Sequence, residues 1–221
     1  LPYAPYNLLG GLVIARPTKW WTITTGISDP DSNADKVDWF SAGNFDLLHE
    51  WRFMANPFGK PGWFTAGIGY RDKEQATIEQ DPTSSGTETN DSDWAFYANF
   101  NQWLYQNPKD PHQAIGVFGR LGVSDGEVNI IKRHYSLGVS FDGMIPSRPR
   151  DIIGVVGWYN EFSDDLPDFL DDSSTGFEAY YSLHLPRGFR ISADVQYLID
   201  PGLEENADDT LVLGLRTLVL F

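Results

Sequence analysis

The sequence predicts an all-β chain, an antiparallel up-and-down transmembrane β-barrel, and three observations carry that prediction. Several segments alternate between apolar and polar residues at period two, the mark of a strand with one face in an apolar medium. Aromatic residues make up 14% of the chain while mean hydropathy is −0.33, so large rings are present without a composition suited to a large dry core. The connections between segments are of two kinds that alternate along the chain, short ones punctuated by Pro and Gly and longer ones rich in acid.

In chain order, Leu8–Ala15 opens the series and is apolar on both faces, which leaves its register open. Trp20–Ser28, Ala42–Met54, Trp63–Arg71, Asp93–Tyr105 and Ala114–Ser124 follow, enriched in the β-branched and aromatic residues that suit a pleated, half-buried surface. His134–Asp142 sets Tyr135, Leu137, Val139 and Phe141 against His134, Ser136, Gly138, Ser140 and Asp142. Asp151–Asn160 is again apolar on both faces. Phe177–Leu185 places Phe177, Ala179, Tyr181, Leu183 and Leu185 opposite Glu178, Tyr180, Ser182 and His184. Arg190–Leu198 is cleaner still, with Ile191, Ala193, Val195 and Tyr197 against Arg190, Ser192, Asp194 and Gln196. The tail, Thr210–Phe221, puts Leu211, Leu213, Leu215, Thr217, Val219 and Phe221 on one side and Val212, Gly214, Arg216, Leu218 and Leu220 on the other. About eleven strands result, and no stretch carries a convincing 3.6-residue period.

The short connections are Arg16–Lys19, Asn56–Gly62, Asn107–His112, Gly143–Arg150 and Pro186–Gly188. The acidic ones are Asp29–Asp38, Asp72–Asp93, Asp125–Lys132, Glu161–Thr175 and Asp200–Asp209, with charges of −3, −6, −1, −6 and −5, a net −21. Since the whole chain carries only −15, the rest is net positive. In a meander successive connections lie at opposite ends of the strands, so nearly all loop acid gathers at one end. Tight turns at one end and long loops at the other is the build of an outer-membrane barrel.

Several function classes drop out. A charge of −15 argues against a nucleic-acid partner. With no cysteine, disulfides, thiolate-bound metal and thiol nucleophiles are excluded. No run of about 18 uncharged apolar residues exists for a membrane-spanning helix, but a spanning strand needs only about 9–11 residues. The chain does not open on a basic and then apolar leader, as expected of a mature chain or a fragment. His49, His112, His134 and His184 show no HExxH or paired-ligand spacing, and neither a Gly-x-Ser-x-Gly elbow nor a phosphate-cradling loop is present, which points away from an enzyme. Asp29–Phe40 has calcium-loop oxygen spacing at Asp29, Asp31, Asn33 and Asp35, yet lacks Gly at the sixth place and Glu at the twelfth. An acidic surface loop accounts for it, and no cofactor or metal is expected.

A soluble β-sandwich or β-propeller would show the same alternation. Against it stand Trp20, Trp21, Trp39, Trp51, Trp63, Trp94, Trp103, Trp158, Tyr180 and Tyr181, gathered near strand ends as in an interfacial aromatic girdle. Asp46, Glu50, Arg52, Arg120, Asp142, Glu178, Asp194, Gln196 and Arg216 fall mid-strand on the other face, where a barrel has its wet lumen.

Six stretches taken together resemble the carbohydrate-selective porins of the OprB family: WAFYANFNQWLY (94–105), GVFGRLGVSDG (116–126), FDGMIPSRPRDIIGVV (141–156), FEAYYSLHL (177–185), ISADVQYLIDPG (191–202) and LVLGLRTLVLF (211–221). NFDLLHEWRF (44–53) and PGWFTAGIGYR (61–71) are similar to a strand pair of the same family. One departure is Ser147 before Arg148–Pro149, where the family usually has Gly. The resemblance implies a 16-stranded barrel in the outer membrane of a Gram-negative bacterium, passive diffusion of small sugars through a narrowed pore, outer-membrane lipid around the wall, and no nucleic acid. On this reading Glu50, Arg52, Trp103, Arg120, Tyr180, Asp194, Gln196 and Arg216 are the pore-lining candidates for contact with sugar. A docking or structural barrel with a plugged lumen is the alternative.

A parity argument completes the expectations. The last strand of such a barrel ends in the periplasm, so the first of eleven would begin outside, whereas bacterial single-chain barrels have even strand numbers. The chain is therefore expected to be the C-terminal part of a longer porin forming a single barrel domain over residues 1–221, or to be completed by a companion chain or a homotrimer.

Overall fold

The computed structural model describes residues 9–31, 43–79, 87–167, 170–186, 188–201 and 208–219. Eleven strands form one sheet: β1 (Gly10–Thr18), β2 (Trp21–Ser28), β3 (Phe45–Ala55), β4 (Gly62–Ala76), β5 (Thr89–Gln106), β6 (Ala114–Ser124), β7 (Ile131–Asp142), β8 (Ile152–Phe162), β9 (Ser173–His184), β10 (Phe189–Ile199) and β11 (Thr210–Val219). Each pairs antiparallel with its sequence neighbours alone, and β1 and β11 are the edges of the described sheet. The up-and-down meander is thus as the alternation of connections requires, and among the described residues the one helical turn is 3-10, at Pro57–Gly59.

Boundaries moved where the chain outlasts its apolar pattern. β4 runs 15 residues and β5 runs 18, so their hairpin takes in much of the segment expected as the loop Asp72–Asp93. Polar residues continue the ladder there beyond a bulge between Asp72 and Gln75, because backbone pairing once in register needs no apolar face to go on. Likewise β1 continues through Arg16–Thr18, expected as turn, past a bulge after Ala15.

Cross-strand pairs share a face, and following them fixes both sides of the sheet. One side joins Leu213 to Val195, Val195 to Ala179, Ala179 to Val155, Val155 to Val139 and Val139 to Val117. Leu213 and Leu215 are about three-quarters exposed, and Leu137, Val155, Phe177 and Ile68 also stand open on this side. The other side holds the shielded groups Asp46, Thr65, Asp93, Ser140, Ser174, Ser182 and Asp194. Among the described residues the buried apolar ones are just Ala95, Ala114 and Phe162. A water-soluble protein distributes these groups the other way round. An apolar exterior and a polar interior are what hydrocarbon outside and water inside demand.

Rings mark both edges of the apolar side. At the turn end Trp20, Trp21 and Phe53 stack, with centroids 5.8 Å apart for Trp21 and Phe53. At the loop end Phe45 meets Tyr70 at 6.0 Å and Tyr135 meets Tyr159 at 6.4 Å. The expected girdle needs correction in its membership. Trp63, Trp103, Trp158 and Tyr180 pair with Asn101, Gly116, Gly176 and Gly154 on the polar side, and Trp51 faces out in mid-sheet against Ala66. Position near a strand end says nothing about which face a ring takes; parity does. Trp39 and Phe221 lie outside the described residues.

The acidic loops lean on one another. The Ile78 amide donates to the Glu127 carbonyl at 2.8 Å, the Ser163 amide to the Ile130 carbonyl at 2.9 Å, and Lys132 pairs with Asp164. Beside that ammonium the Asp164 carboxyl is held below the ordinary carboxylate range. In the calcium-like segment Asp31 takes Lys73 at 2.9 Å and Asn44 at 2.9 Å; Asn33 and Asp35 lie outside the described residues.

Candidate functional site: the polar face of the sheet

All eight residues expected on the pore wall, Glu50, Arg52, Trp103, Arg120, Tyr180, Asp194, Gln196 and Arg216, share the polar face. Asp46, Asp142 and Glu178 lie on it as well. The fold divides them into two clusters, with Trp103 apart from both, near the turn end.

One cluster crosses β9, β10 and β11. The Arg216 guanidinium donates to Asp194 Oδ1 through Nε at 3.1 Å and Nη2 at 2.8 Å, and Nη2 also reaches Glu178 Oε1 at 2.8 Å. Gln196 Nε2 donates to both carboxylates at 3.4 Å. Gly214 sits opposite Asp194, where a Cβ would come within 2.2 Å of Asp194 Oδ2, so the bare backbone lets the carboxylate lie across the strand. The Asp194 side chain is 3% exposed and that of Arg216 64%, so the cation is the member presented to the lumen.

The second cluster crosses β3, β4, β5 and β6. Tyr97 donates its hydroxyl to Glu50 Oε2 at 2.8 Å, Arg52 lies 3.6 Å from Glu50 Oε1, and its Nε donates to Thr65 Oγ1 at 3.3 Å. The guanidinium carbon of Arg52 lies 5.6 Å from the centre of the Trp63 ring, within cation–π range. Arg120 Nε donates to Asn99 Oδ1 at 3.0 Å. Half of the Arg52 side chain stays exposed, so some of its donors face open space.

Sequence reasoning named Trp103 and Tyr180 for this face but missed Tyr97, Phe118 and Trp158, which pave it with them. Tyr97 lies over Gly67, Trp103 over Gly116, Phe118 over Gly138, Tyr180 over Gly154 and Trp158 over Gly176; at each glycine a Cβ would fall 2.2 to 2.8 Å from ring atoms. A ring laid over the gap left by a glycine covers backbone and lies along the face of the sheet. Glycine at alternate strand positions was the available signal; it reveals its meaning only with the cross-strand partner known.

At the turn end, Asp151 fastens the β7–β8 turn. Its carboxylate accepts from Arg148 Nε at 2.7 Å and Nη2 at 3.1 Å, from the His184 amide at 2.8 Å, and from the Tyr181 hydroxyl. Arg148 Nη2 also donates to the His184 carbonyl at 3.0 Å. Burial raises the Asp151 pKa, but these donors together outweigh it and hold the carboxyl at about 2. The same hydrogen bond and charge raise the affinity of Arg148 for its proton.

Comparison with known proteins agrees with this geometry. The family model described as carbohydrate-selective porin, OprB family, matches residues 1–221. Porin B of Pseudomonas aeruginosa is 24% identical over 132 residues, 51% of this chain and 29% of that protein. The high-pH structure of Pseudomonas putida OprB superposes with a TM-score of 0.82 at 19% identity, covering 93% of this chain and 57% of that one. The low-pH structure of the same protein gives 0.64 at 14% identity, covering 93% and 52%. The chain thus spans little more than half of the solved chains it resembles, and a smaller share of its curated relative.

Proposed function

Because the chain belongs to the carbohydrate-selective porin, OprB family, whose place is the bacterial outer membrane, we propose that it forms wall of a water-filled pore for passive diffusion of small sugars. The family makes it a channel component and not an enzyme. The observation that carries the proposal is the inverted distribution of polarity, apolar side chains outward and hydrogen-bonding groups inward across one continuous sheet.

A sugar entering a constriction gives up hydrogen bonds to water, and the wall must replace them. Arg52, Arg120 and Arg216 supply donors, Glu50, Asp194 and Gln196 supply acceptors or both, and Tyr180 and Trp103 offer ring faces to the C–H side of a pyranose. Arg52 pairs with Glu50 and Arg216 with Asp194 and Glu178, so a neutral polyol meets a wall of fixed dipoles, while a bare ion must compete with partners already in place. Contacts of this kind are individually weak, as flux requires. The eleven strands make up part of a larger barrel, sixteen strands on the family pattern, with the remainder supplied by further chain or by a companion.

Liposome swelling with sugars of graded size tests the reading. Mono- and disaccharides are expected to enter faster than ions of similar size, with falling rates for larger oligosaccharides. Equal rates for sugar and salt would refute selectivity, and absence of both swelling and conductance would favour a plugged docking barrel.

A further inference from the structure

At the turn end the polar face bears a half-open cavity of about 330 Å³ that belongs to neither charged cluster. Trp103, Asp142, His184 and Arg190 from the strands and Pro149 and Arg150 from the β7–β8 turn form its wall. The turn is held there by construction. Gly143 has φ of +63°, and a Cβ on it would strike the Pro149 carbonyl at 2.5 Å and the His112 carbonyl at 2.8 Å, so the β5–β6 and β7–β8 turns close together around it. Asp151 pins the same turn to the backbone of His184.

Beside this cavity the fold leaves three shielded polar atoms without hydrogen-bond partners among the described residues: Asp142 Oδ1, His184 Nδ1 and Arg190 Nε. The Asp142 carboxyl is hydrogen-bonded to Ser140 and lies in the field of His184 and Arg190, yet one atom each of a carboxylate, an imidazole and a guanidinium, from three strands, is left over here. Buried polar groups in native structures are satisfied as a rule, so such a concentration calls for an outside partner. Its chemistry is constrained. An anion would suit Arg150 and Arg190 but be opposed by Asp142, and a cation would meet the reverse. A vicinal diol both donates and accepts, as this mixed set requires. Trp103, its back against Gly116, adds a flat apolar face.

We infer that this cavity is a saccharide-binding site at the periplasmic exit of the pore, taking one neutral hexopyranose unit. The inference rests on the porin reading and goes beyond it, in placing a discrete site away from the charged clusters. A solute leaving the lumen would pause here, its hydroxyls on Asp142, His184 and Arg190 and its C–H face on Trp103.

The test is the ion current through the complete barrel, this chain together with whatever supplies its remaining strands, in planar bilayers, with glucose added to one side at a time. Glucose on the short-turn side is expected to reduce the current in a saturable way, and Asp142→Asn, which keeps the shape and removes the charge, to raise the half-blocking concentration about tenfold. Arg190→Gln is expected to do the same, while mannitol, which has no ring face, blocks far less than glucose. Heat-modifiable mobility on gels reports that each variant has folded; should one fail, the other carries the test. A conducting channel whose block is unchanged by either substitution, or is equal for mannitol and glucose, overturns the site and leaves the porin reading standing. A wild-type protein with no conductance removes the porin reading itself.

Discussion

Arg216 holds two carboxylates with one guanidinium and still shows most of its surface to the lumen. Removing its charge while keeping bulk, as in Arg216→Met, leaves Asp194 and Glu178 uncompensated on the wall. Permeation is then expected to shift towards cations, visible as a reversal potential displaced in a salt gradient, more so at low ionic strength. Asp151 is the corresponding residue outside the membrane. Asp151→Ala deprives the His184 amide and Tyr181 hydroxyl of their acceptor, and should cost about 1.5–3 kcal/mol in unfolding by denaturant. Its pH dependence has a definite sign. A carboxyl depressed from 3.8 to about 2 contributes fully above 3.8 and loses that contribution as pH falls through 2. The stability difference between wild type and Asp151→Asn should therefore be constant at neutral pH and shrink across that acid window; a difference that shrank near neutrality would contradict the assignment.

Within each strand the alternation has unequal consequences on its two sides. Leu213 on β11 faces hydrocarbon, and Leu213→Arg should destabilise by about 2–4 kcal/mol if it lies near the bilayer midplane. Gln196→Arg on β10 faces the lumen and should change conductance while leaving unfolding in lipid vesicles nearly unaffected. Glycines on the polar face test a different point. At Gly154 a Cβ would lie 2.2 Å from Tyr180 Cζ, so Gly154→Ala must lift the ring off the wall. Single-channel conductance is expected to fall, because the displaced ring projects into the passage. Element boundaries were readable to within a few residues where the apolar pattern itself ended, as for Ala114–Ser124. They were misread where polar ladders continued, as in the β4–β5 hairpin.

For the whole molecule, the described residues of the acidic connections gather at one end of the sheet, where they are tied by backbone and ion-pair contacts. Such a rim repels anions over roughly a Debye length, about 8–10 Å at physiological salt. Anionic sugars should therefore enter more slowly than neutral ones from that side, with the difference narrowing as salt rises; swelling rates for glucose and gluconate at two ionic strengths check this.

The sequence by itself determined the class, the meander and the face of the charged wall candidates, whereas Trp103 and Tyr180 were counted with the rim rings as well. The reason is that a strand's side chains alternate strictly, and a membrane outside with water inside assigns each parity to one medium. The tertiary structure alone decided the pairings: which carboxylate meets Arg216, which glycine lies beneath which ring, and that Asp142, His184 and Arg190 converge beside one cavity. Those depend on register between strands far apart in sequence, and a pattern of period two carries no record of register.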